Sequence, residues 1–275
     1  LPVTITNRFD PEELTAYELG LKGTTWDGRI RIESAVFYND WKAIVLRQLS
    51  ETNPETGRQL EQPVALSINA GDAGVLGFEI ETNVALTDNL SGRATLGWVD
   101  AELDNAAQDT YESFPTFAAE GYASIGGDVS GSRLLRQPEW LLSGSVDYKH
   151  ALAGDWIWYT GVTANYQSGV YVGNENQGYL PDHTYVNPRV GVKSGVYTIE
   201  FWARNLFNDT GAIAAFRDIY WSNSTDQYSA VPVGATIPGA RPGFDDFVPL
   251  RYTVTYPNQR TFGISAKMRF GAAVK

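Results

Sequence analysis

Hydrophobic and polar residues alternate with a period of two along several segments of the chain. From Trp140 to Tyr148 every second residue is apolar, aromatic or glycine, while the positions between them are mostly polar. Residues 261–270 repeat this layout, with Phe262 and Phe270 at the two ends of the apolar side. A period of two places alternate side chains on opposite faces of a β-strand. The pattern therefore predicts strands with one apolar face and one polar face.

Nine segments have the alternation or composition of a strand, so the chain is predicted to be all-β. The nine predicted strands are residues 14–23, 29–47, 64–86, 92–104, 136–149, 155–168, 184–194, 196–206 and 259–270. Short turns alternate with long connections, and the long ones are residues 48–63, 105–135, 169–183 and 207–258. Glycines at positions 71 and 74 could hide a kink or bulge in the third strand. In an antiparallel sheet, that order gathers the short turns at one end and the long loops at the other.

Aromatic residues at the ends of the apolar faces point to a membrane. Trp and Tyr settle at the two headgroup levels of a bilayer, and β-barrels of the outer membrane have short periplasmic turns and long extracellular loops. The pattern therefore favours an antiparallel transmembrane β-barrel, although strands of a soluble sandwich also alternate. The predicted membrane-interface aromatics are Trp140, Tyr148, Phe262 and Phe270.

Composition and charge narrow the possible functions. The net charge of −11 argues against nucleic acid as a partner, and the absence of cysteine excludes disulfides and Cys-ligated metals. His150 falls in a predicted short turn and His183 in a predicted long loop, and both are expected to be solvated. The glycine-rich residues 126–131 are predicted to form a loop tip. We predict no catalytic residue, no metal ligand and no cofactor.

The longest predicted loop, 207–258, is the best candidate for binding a ligand. Aromatic surfaces with a few polar groups hold siderophores, sugars and other planar molecules. The predicted ligand-binding residues are Phe216, Arg217, Tyr220, Trp221, Tyr228, Arg241 and Phe244, with Tyr171 and Tyr179 from the loop 169–183. The alternative is that these aromatics pack the loop against itself as a compact cap, and the sequence leaves both open.

Six short motifs stand in a fixed order along the chain. They are residues 17–23 (YELGLKG), 35–40 (AVFYND), 77–81 (GFEIE), 136–140 (RQPEW), 205–208 (NLFN) and 260–264 (RTFGI). In this order and spacing they resemble the TonB-dependent receptors of the Gram-negative outer membrane. The resemblance implies a 22-stranded barrel with a plugged interior. The chain, residues 1–275, would be its C-terminal portion of about nine strands, without the plug domain.

The resemblance also implies a function and a set of partners. Such a receptor binds a scarce nutrient (a ferric siderophore, cobalamin, haem or an oligosaccharide) and imports it with energy from the TonB–ExbB–ExbD complex, acting through the plug. An odd number of strands that begins on the outside needs further strands upstream, so we expect the plug and those strands to lie outside this chain. Charged residues of the polar face would contact the plug; they are Glu79, Glu81, Lys193, Glu200, Arg204, Lys267 and Arg269.

Two other function classes remain open at this stage. One is a soluble β-sandwich that binds carbohydrate through exposed aromatics. The other is an enzyme built on an outer-membrane barrel, which would need a clustered acid–base or Ser–His set that the sequence does not offer.

Overall fold

The computed structural model describes residues 8–53, 55–108, 127–176, 178–222 and 246–270, which form β-strands and connections. In chain order the strands are β1 (Glu13–Thr25), β2 (Ile30–Thr52), β3 (Gln59–Ala85), β4 (Leu90–Asp104), β5 (Ala107–Gln108), β6 (Gly127–Asp128), β7 (Trp140–Ala151), β8 (Ile157–Gln167), β9 (Val170–Tyr171), β10 (Tyr179–Leu180), β11 (His183–Lys193), β12 (Tyr197–Arg204), β13 (Ala214–Ser222), β14 (Asp246–Thr255) and β15 (Thr261–Met268). No described segment is a helix capable of spanning a bilayer. The all-β prediction is confirmed.

Nine of these strands form one antiparallel sheet in which neighbours in space are neighbours along the chain. Its order is β1-β2-β3-β4-β7-β8-β11-β12-β15. All nine predicted strands are present in this sheet, with ends that differ by a few residues. The third predicted strand is a single strand, β3. Its pairing with β2 shifts register between Trp41 and Val45, where β3 skips one residue next to Gly71, and again between Ser50 and Thr52.

The predicted long loops contain strands that the alternation pattern did not assign. β2 and β3 extend as one long hairpin to Thr52 and Gln59, so most of the stretch 48–63 is strand. Three further two-stranded sheets, β5–β6, β9–β10 and β13–β14, form within the other long connections. Backbone N–H and C=O groups need hydrogen-bond partners, and local pairing supplies them where the loops pack together. We call this end of the sheet the loop end and the opposite end the turn end.

The register of the sheet aligns apolar positions of neighbouring strands. Phe201 of β12 lies opposite Val190 of β11 on one side and opposite Ile264 of β15 on the other. These three side chains are 50%, 46% and 71% exposed, respectively. We call the side of the sheet that carries them the apolar face, and the opposite side the polar face. A face of this kind, without protein covering it, needs a non-aqueous neighbour.

Glycines on the polar face let large side chains lie flat across the neighbouring strand. A Cβ at Gly77 would overlap the ring of Phe37 and stand 2.8 Å from the backbone oxygen of Trp98. A Cβ at Gly263 would overlap the indole of Trp202 in the same way. A close approach of this kind is a recurrent reason for glycine inside a strand.

A hydrophobic core lies at the loop end, where β2, β3 and β4 extend past the rest of the sheet. Its buried members are Ile44, Leu46, Ala73, Leu103, Ala106 and Val129. Val129 directly follows β6 and is 3% exposed. Val129 of the glycine-rich segment is therefore packed into this core, whereas Ser130 and Gly131 after it form an exposed turn.

We expect Gly77→Ala to destabilise the fold, because the new methyl group must displace the Phe37 ring and meets the backbone of β4. The free energy of unfolding should fall by about 1–3 kcal/mol, as for other overpacked positions. Denaturant unfolding in detergent micelles measures this change. Gly97→Ala is the matched control, since only the Leu141 backbone oxygen lies near its Cβ, at 4.0 Å. Equal loss in both variants would contradict the argument.

Candidate ligand-binding site

The β9–β10 hairpin joins two tyrosines that the sequence singled out. Tyr171 and Tyr179 are paired across its strands, with ring centroids 5.1 Å apart in an edge-to-face arrangement. The residues that alternate with them, Val170, Val172 and Leu180, are buried. The hairpin thus has one buried aliphatic side and one side with two aromatic rings, and Tyr179 is 59% exposed.

The β13–β14 hairpin carries another predicted ligand-binding residue, Phe216. Ala215 is buried, whereas Phe216 is 50% exposed and lies opposite Thr253. The backbone of Arg217, Tyr220 and Trp221 also lies in β13, and a register shift separates Asp218 from Tyr220. Other predicted positions fall outside the described part of the chain, namely the side chains of Arg217, Tyr220 and Trp221 and the whole of Tyr228, Arg241 and Phe244.

A second hydrophobic core connects these two hairpins. It contains the aliphatic side of the β9–β10 hairpin together with Ala215, and Ala212 and Tyr252 pack against it. A Cβ at Gly178 would stand 2.9 Å from the Tyr252 ring, so glycine permits this close contact. Tyr252 lies in an alternating segment of β14 inside the predicted loop, and that alternation is the signal that could have identified it. The exposed aromatic residues of both hairpins alternate with residues of this core.

Polar contacts fix the β9–β10 hairpin to the segment that precedes β7 and to β5. Asn176 accepts from the backbone N–H of Arg133 at 2.8 Å and donates to its carbonyl at 2.9 Å. The backbone N–H of Arg136 donates to the Tyr171 carbonyl at 2.8 Å. Asn174, which is buried, donates to Gln108 at 3.0 Å. The tyrosine pair therefore stands on a rigid base.

An ion pair strengthens that base. Arg133 donates to a carboxylate oxygen of Glu139 at 2.7 Å, and the indole N–H of Trp98 donates to the other oxygen at 3.3 Å. The Arg133 guanidinium, helped by this indole, holds the pKa of Glu139 below its usual value. Glu139 is therefore ionised at neutral pH and orients the start of β7.

The polar face carries charged groups that reach across whole strands. Arg189 donates to Asp147 at 2.7 Å over Gly161, whose missing side chain leaves room for the contact. Tyr159 donates to Glu200 at 2.9 Å over β11. At the turn end these groups line a cavity of about 820 Å³, which extends from the β1–β2 turn to β12. The polar face is therefore concave.

The predicted interface aromatics lie at opposite ends of the apolar face. Trp140, at the loop end, packs against Phe78 and Trp98, with ring centroids 6.1 and 6.2 Å away. Tyr148, at the turn end, packs against Trp158 at 5.4 Å. Phe262, near the start of β15, and Phe270, two residues after its end, are 57% and 83% exposed. Their contact with lipid remains a prediction.

The two histidines differ in solvent exposure. His150 is exposed as predicted, although it lies in β7 and not in a turn. His183 is the first residue of β11 and only 5% exposed, so its prediction as a solvated loop residue was wrong. Within the described residues no group of three or more His, Cys, Asp or Glu side chains could hold a metal ion.

Comparisons with known proteins place this geometry in context. A family profile described as "TonB dependent receptor-like, beta-barrel" matches residues 2–206. The fold is similar to the ferric yersiniabactin uptake receptor FyuA of Yersinia pestis, at 17% identity and a TM-score of 0.60, over 94% of this chain and 30% of that chain. It is also similar to the siderophore receptor PiuA of Acinetobacter baumannii, at 16% identity and a TM-score of 0.61, over 94% of this chain and 28% of that chain.

A third structure of this fold is the ferripyoverdine receptor of the outer membrane of Pseudomonas aeruginosa, at 16% identity and a TM-score of 0.55, over 94% of this chain and 27% of that chain. The present chain thus spans less than a third of the length of these receptors. No curated protein matches the sequence. At these identities the likeness to the solved structures concerns the fold.

We expect Leu180→Ala to loosen the β9–β10 hairpin, because it removes a side chain that is 8% exposed and leaves a cavity in the core between the hairpins. Such a change costs about 2–5 kcal/mol at a well-packed site. The Val172 amide, which donates to the Gly178 carbonyl at 2.9 Å, should then exchange with solvent at least about tenfold faster. Hydrogen-exchange measurements check this result. Tyr179→Ala, at an exposed position of the same hairpin, should leave the exchange of Val172 close to its original rate.

Proposed function

The chain belongs to the TonB-dependent receptor β-barrel family, and from that premise we propose that it forms part of the wall of an outer-membrane receptor. In this proposal the apolar face contacts lipid and the polar face lines the interior. The loop end lies outside the cell and binds a small nutrient molecule. The whole receptor then imports that molecule with energy from the TonB system.

One observation carries this proposal, namely the opposite character of the two faces of a single nine-stranded sheet. The apolar face is exposed along β11, β12 and β15, where Val190, Phe201 and Ile264 align. The concave polar face carries charged groups such as the Arg189–Asp147 pair, whose side chains are about half exposed. A membrane barrel requires this division between lipid and interior. A soluble β-sandwich would cover its apolar face with a second sheet, so the division argues against that alternative.

The concave polar face supports a role in holding a plug. Its cavity at the turn end contains both signs of charge, including Arg29, Asp88, Lys149 and Lys193. A polypeptide inside the barrel could be bound there by ion pairs and hydrogen bonds. We propose that the plug and the remaining strands of the receptor are supplied by polypeptide other than residues 1–275, and that energy coupling runs through that plug.

The two hairpins at the loop end support a ligand site. They present Tyr171, Tyr179 and Phe216 on sides that face away from their shared core. Stacking on aromatic rings suits planar and chelated ligands. The relatives FyuA and the P. aeruginosa receptor are named for ferric yersiniabactin and ferripyoverdine. We therefore propose a ferric siderophore as the ligand, ahead of cobalamin, haem or an oligosaccharide.

The proposed site extends to positions known from the sequence alone. Arg217 and Arg241 would meet the negative charge of an iron chelate, and aromatic side chains would line the remaining surface. These further aromatic positions are Tyr220, Trp221, Tyr228 and Phe244.

Val162→Arg tests the membrane part of the proposal. Val162 is on the apolar face near the middle of β8, opposite Val146. A cationic side chain at the midplane of a barrel costs about 2–4 kcal/mol when it faces lipid. We expect this loss in unfolding experiments with phospholipid vesicles. Thr163→Arg, one residue further along and on the polar face, should cost much less; equal losses would contradict the assignment of lipid to the apolar face alone.

Replacing Tyr171 and Tyr179 by Ala tests the ligand part. We expect the double variant to bind iron-loaded siderophore at least about tenfold more weakly, since each buried aromatic contact contributes about 1 kcal/mol or more. Binding of ⁵⁵Fe-labelled siderophores to the purified receptor measures the change across a panel of chelates. Tyr197→Ala, at the turn end of β12, is the matched control and should bind as the unmodified receptor does. If the double variant also binds unchanged, the ligand site lies elsewhere.

A further inference from the structure

The arginines that line the cavity at the turn end are paired with carboxylates of the chain itself. Arg189 of β11 passes over Gly161 and donates to Asp147 of β7 at 2.7 Å. Arg29, which directly precedes β2, pairs with Asp88 at 3.2 Å. The positive charges of these two guanidinium groups are therefore matched within the wall and leave little for an occupant of the cavity to satisfy.

Tyr159 forms a flat surface in the same cavity. Its ring lies across β11, where a Cβ at Gly191 would stand 2.7 Å from the phenol oxygen. That oxygen donates to a carboxylate oxygen of Glu200 in β12 at 2.9 Å. Glycine permits this close approach, and the hydrogen bond holds the ring against the sheet.

Two lysines border the Tyr159 ring. Lys149 lies directly opposite Tyr159 in the pairing of β7 with β8, and the ammonium of Lys193 is 5.8 Å from the centroid of the ring. Both lysines line the cavity and are exposed. Within the described residues neither ammonium group forms an ion pair, in contrast to the guanidinium groups of Arg29 and Arg189. The β7–β11 side of the cavity therefore has two positive charges available.

The carboxylates that line the cavity are engaged elsewhere or lie far from these lysines. Asp88 and Asp147 are paired with the two arginines, and Glu200 accepts from Tyr159. Asp27 belongs to the β1–β2 turn, at the opposite end of the cavity. A charged group that is shielded from water needs a partner of opposite charge. Polypeptide that covers the two lysines must therefore bring negative charge with it.

We propose that Lys149 and Lys193 bind carboxylate side chains of the plug, in a segment that packs on Tyr159 inside the barrel. This inference rests on the proposed function, in which polypeptide other than residues 1–275 fills the interior. The related receptors are more than three times as long as this chain, and the cavity of about 820 Å³ has room for several side chains. The two lysines then determine which part of the plug faces β7 and β11.

Cross-linking with a carbodiimide tests this contact in the whole receptor. The reagent joins an amine directly to a carboxylate, so it links only side chains that touch each other. After proteolysis and mass spectrometry, we expect Lys149 and Lys193 to be linked to aspartate or glutamate residues of the plug. The Lys22–Glu33 pair, whose ammonium and carboxylate groups are 3.0 Å apart, is the internal control and must be linked in the same sample.

Variants of the two lysines measure what the contact contributes. In the double variant Lys149→Gln with Lys193→Gln, amides of the cross-linked plug segment should exchange with solvent about fivefold faster, the size expected for two partly exposed ion pairs. Lys149→Arg with Lys193→Arg keeps both charges and should exchange at the original rate. Lys42→Gln, which removes an exposed ammonium paired with Asp40, is the matched control and should also leave the exchange of that segment unchanged.

Three outcomes would overturn this inference. They are lysines that link only to carboxylates of residues 1–275 or to none while the control pair is linked, a plug segment whose exchange ignores the Gln variant, and equal acceleration by the Gln and Arg variants. The first measurement needs no substitution, so a variant that fails to fold leaves the inference testable. If Val162→Arg and Thr163→Arg differ as expected while no link to the plug forms, the receptor proposal stands and this inference fails.

Discussion

Hydrogen bonding between neighbouring strand backbones is the constraint on which the rest of this structure depends. In contact with lipid no water satisfies a free N–H or C=O group, so each strand must be paired along its length. The nine-stranded sheet meets this demand for its seven inner strands by pairing them in chain order, while β1 and β15 at its edges are paired on one side each. Strand pairing of this kind leaves the two faces free to differ. One face carries the apolar side chains and the other the glycines, charges and flat-lying rings. The family's fold follows from that division.

At the loop end the same demand is met by small hairpins instead of one sheet. Each hairpin pairs the hydrogen-bonding groups of its own backbone and buries one of its two sides. The opposite side is then available for aromatic residues. The Tyr171–Tyr179 pair illustrates this arrangement, with aliphatic neighbours packed against Tyr252. The core beneath the two hairpins and the contacts of His183 and Asn205 at the base of the β13–β14 hairpin hold this surface in place.

The sequence predicted the strands, which depend on residues close together along the chain. It did not predict the burial of side chains that contact residues far along the chain. Alternation over two-residue steps is a local signal, so the nine strands and their faces, including that of Trp140 and Tyr148, followed from it. Burial of Val129 depends on Leu103 and Ala106, which reach it through the pairing of β5 with β6. Burial of His183 depends on Asp209 and Ala212, a long way down the chain. No local pattern reports such contacts. Tyr228, Arg241 and Phe244 remain predictions from composition.

The central claim is that one face of this sheet contacts lipid and the other does not. It is tested most directly by placing spin labels one at a time at residues 160–166 of β8 in a vesicle-reconstituted receptor. The collision rate of each label with oxygen, which concentrates in lipid, is then compared with its collision rate with a water-soluble nickel chelate. We expect oxygen collisions to peak at every second position, including Val162 and Ala164, and to be low at Gly161, Thr163 and Asn165. Equal access of the nickel chelate to both sets of positions would contradict the account.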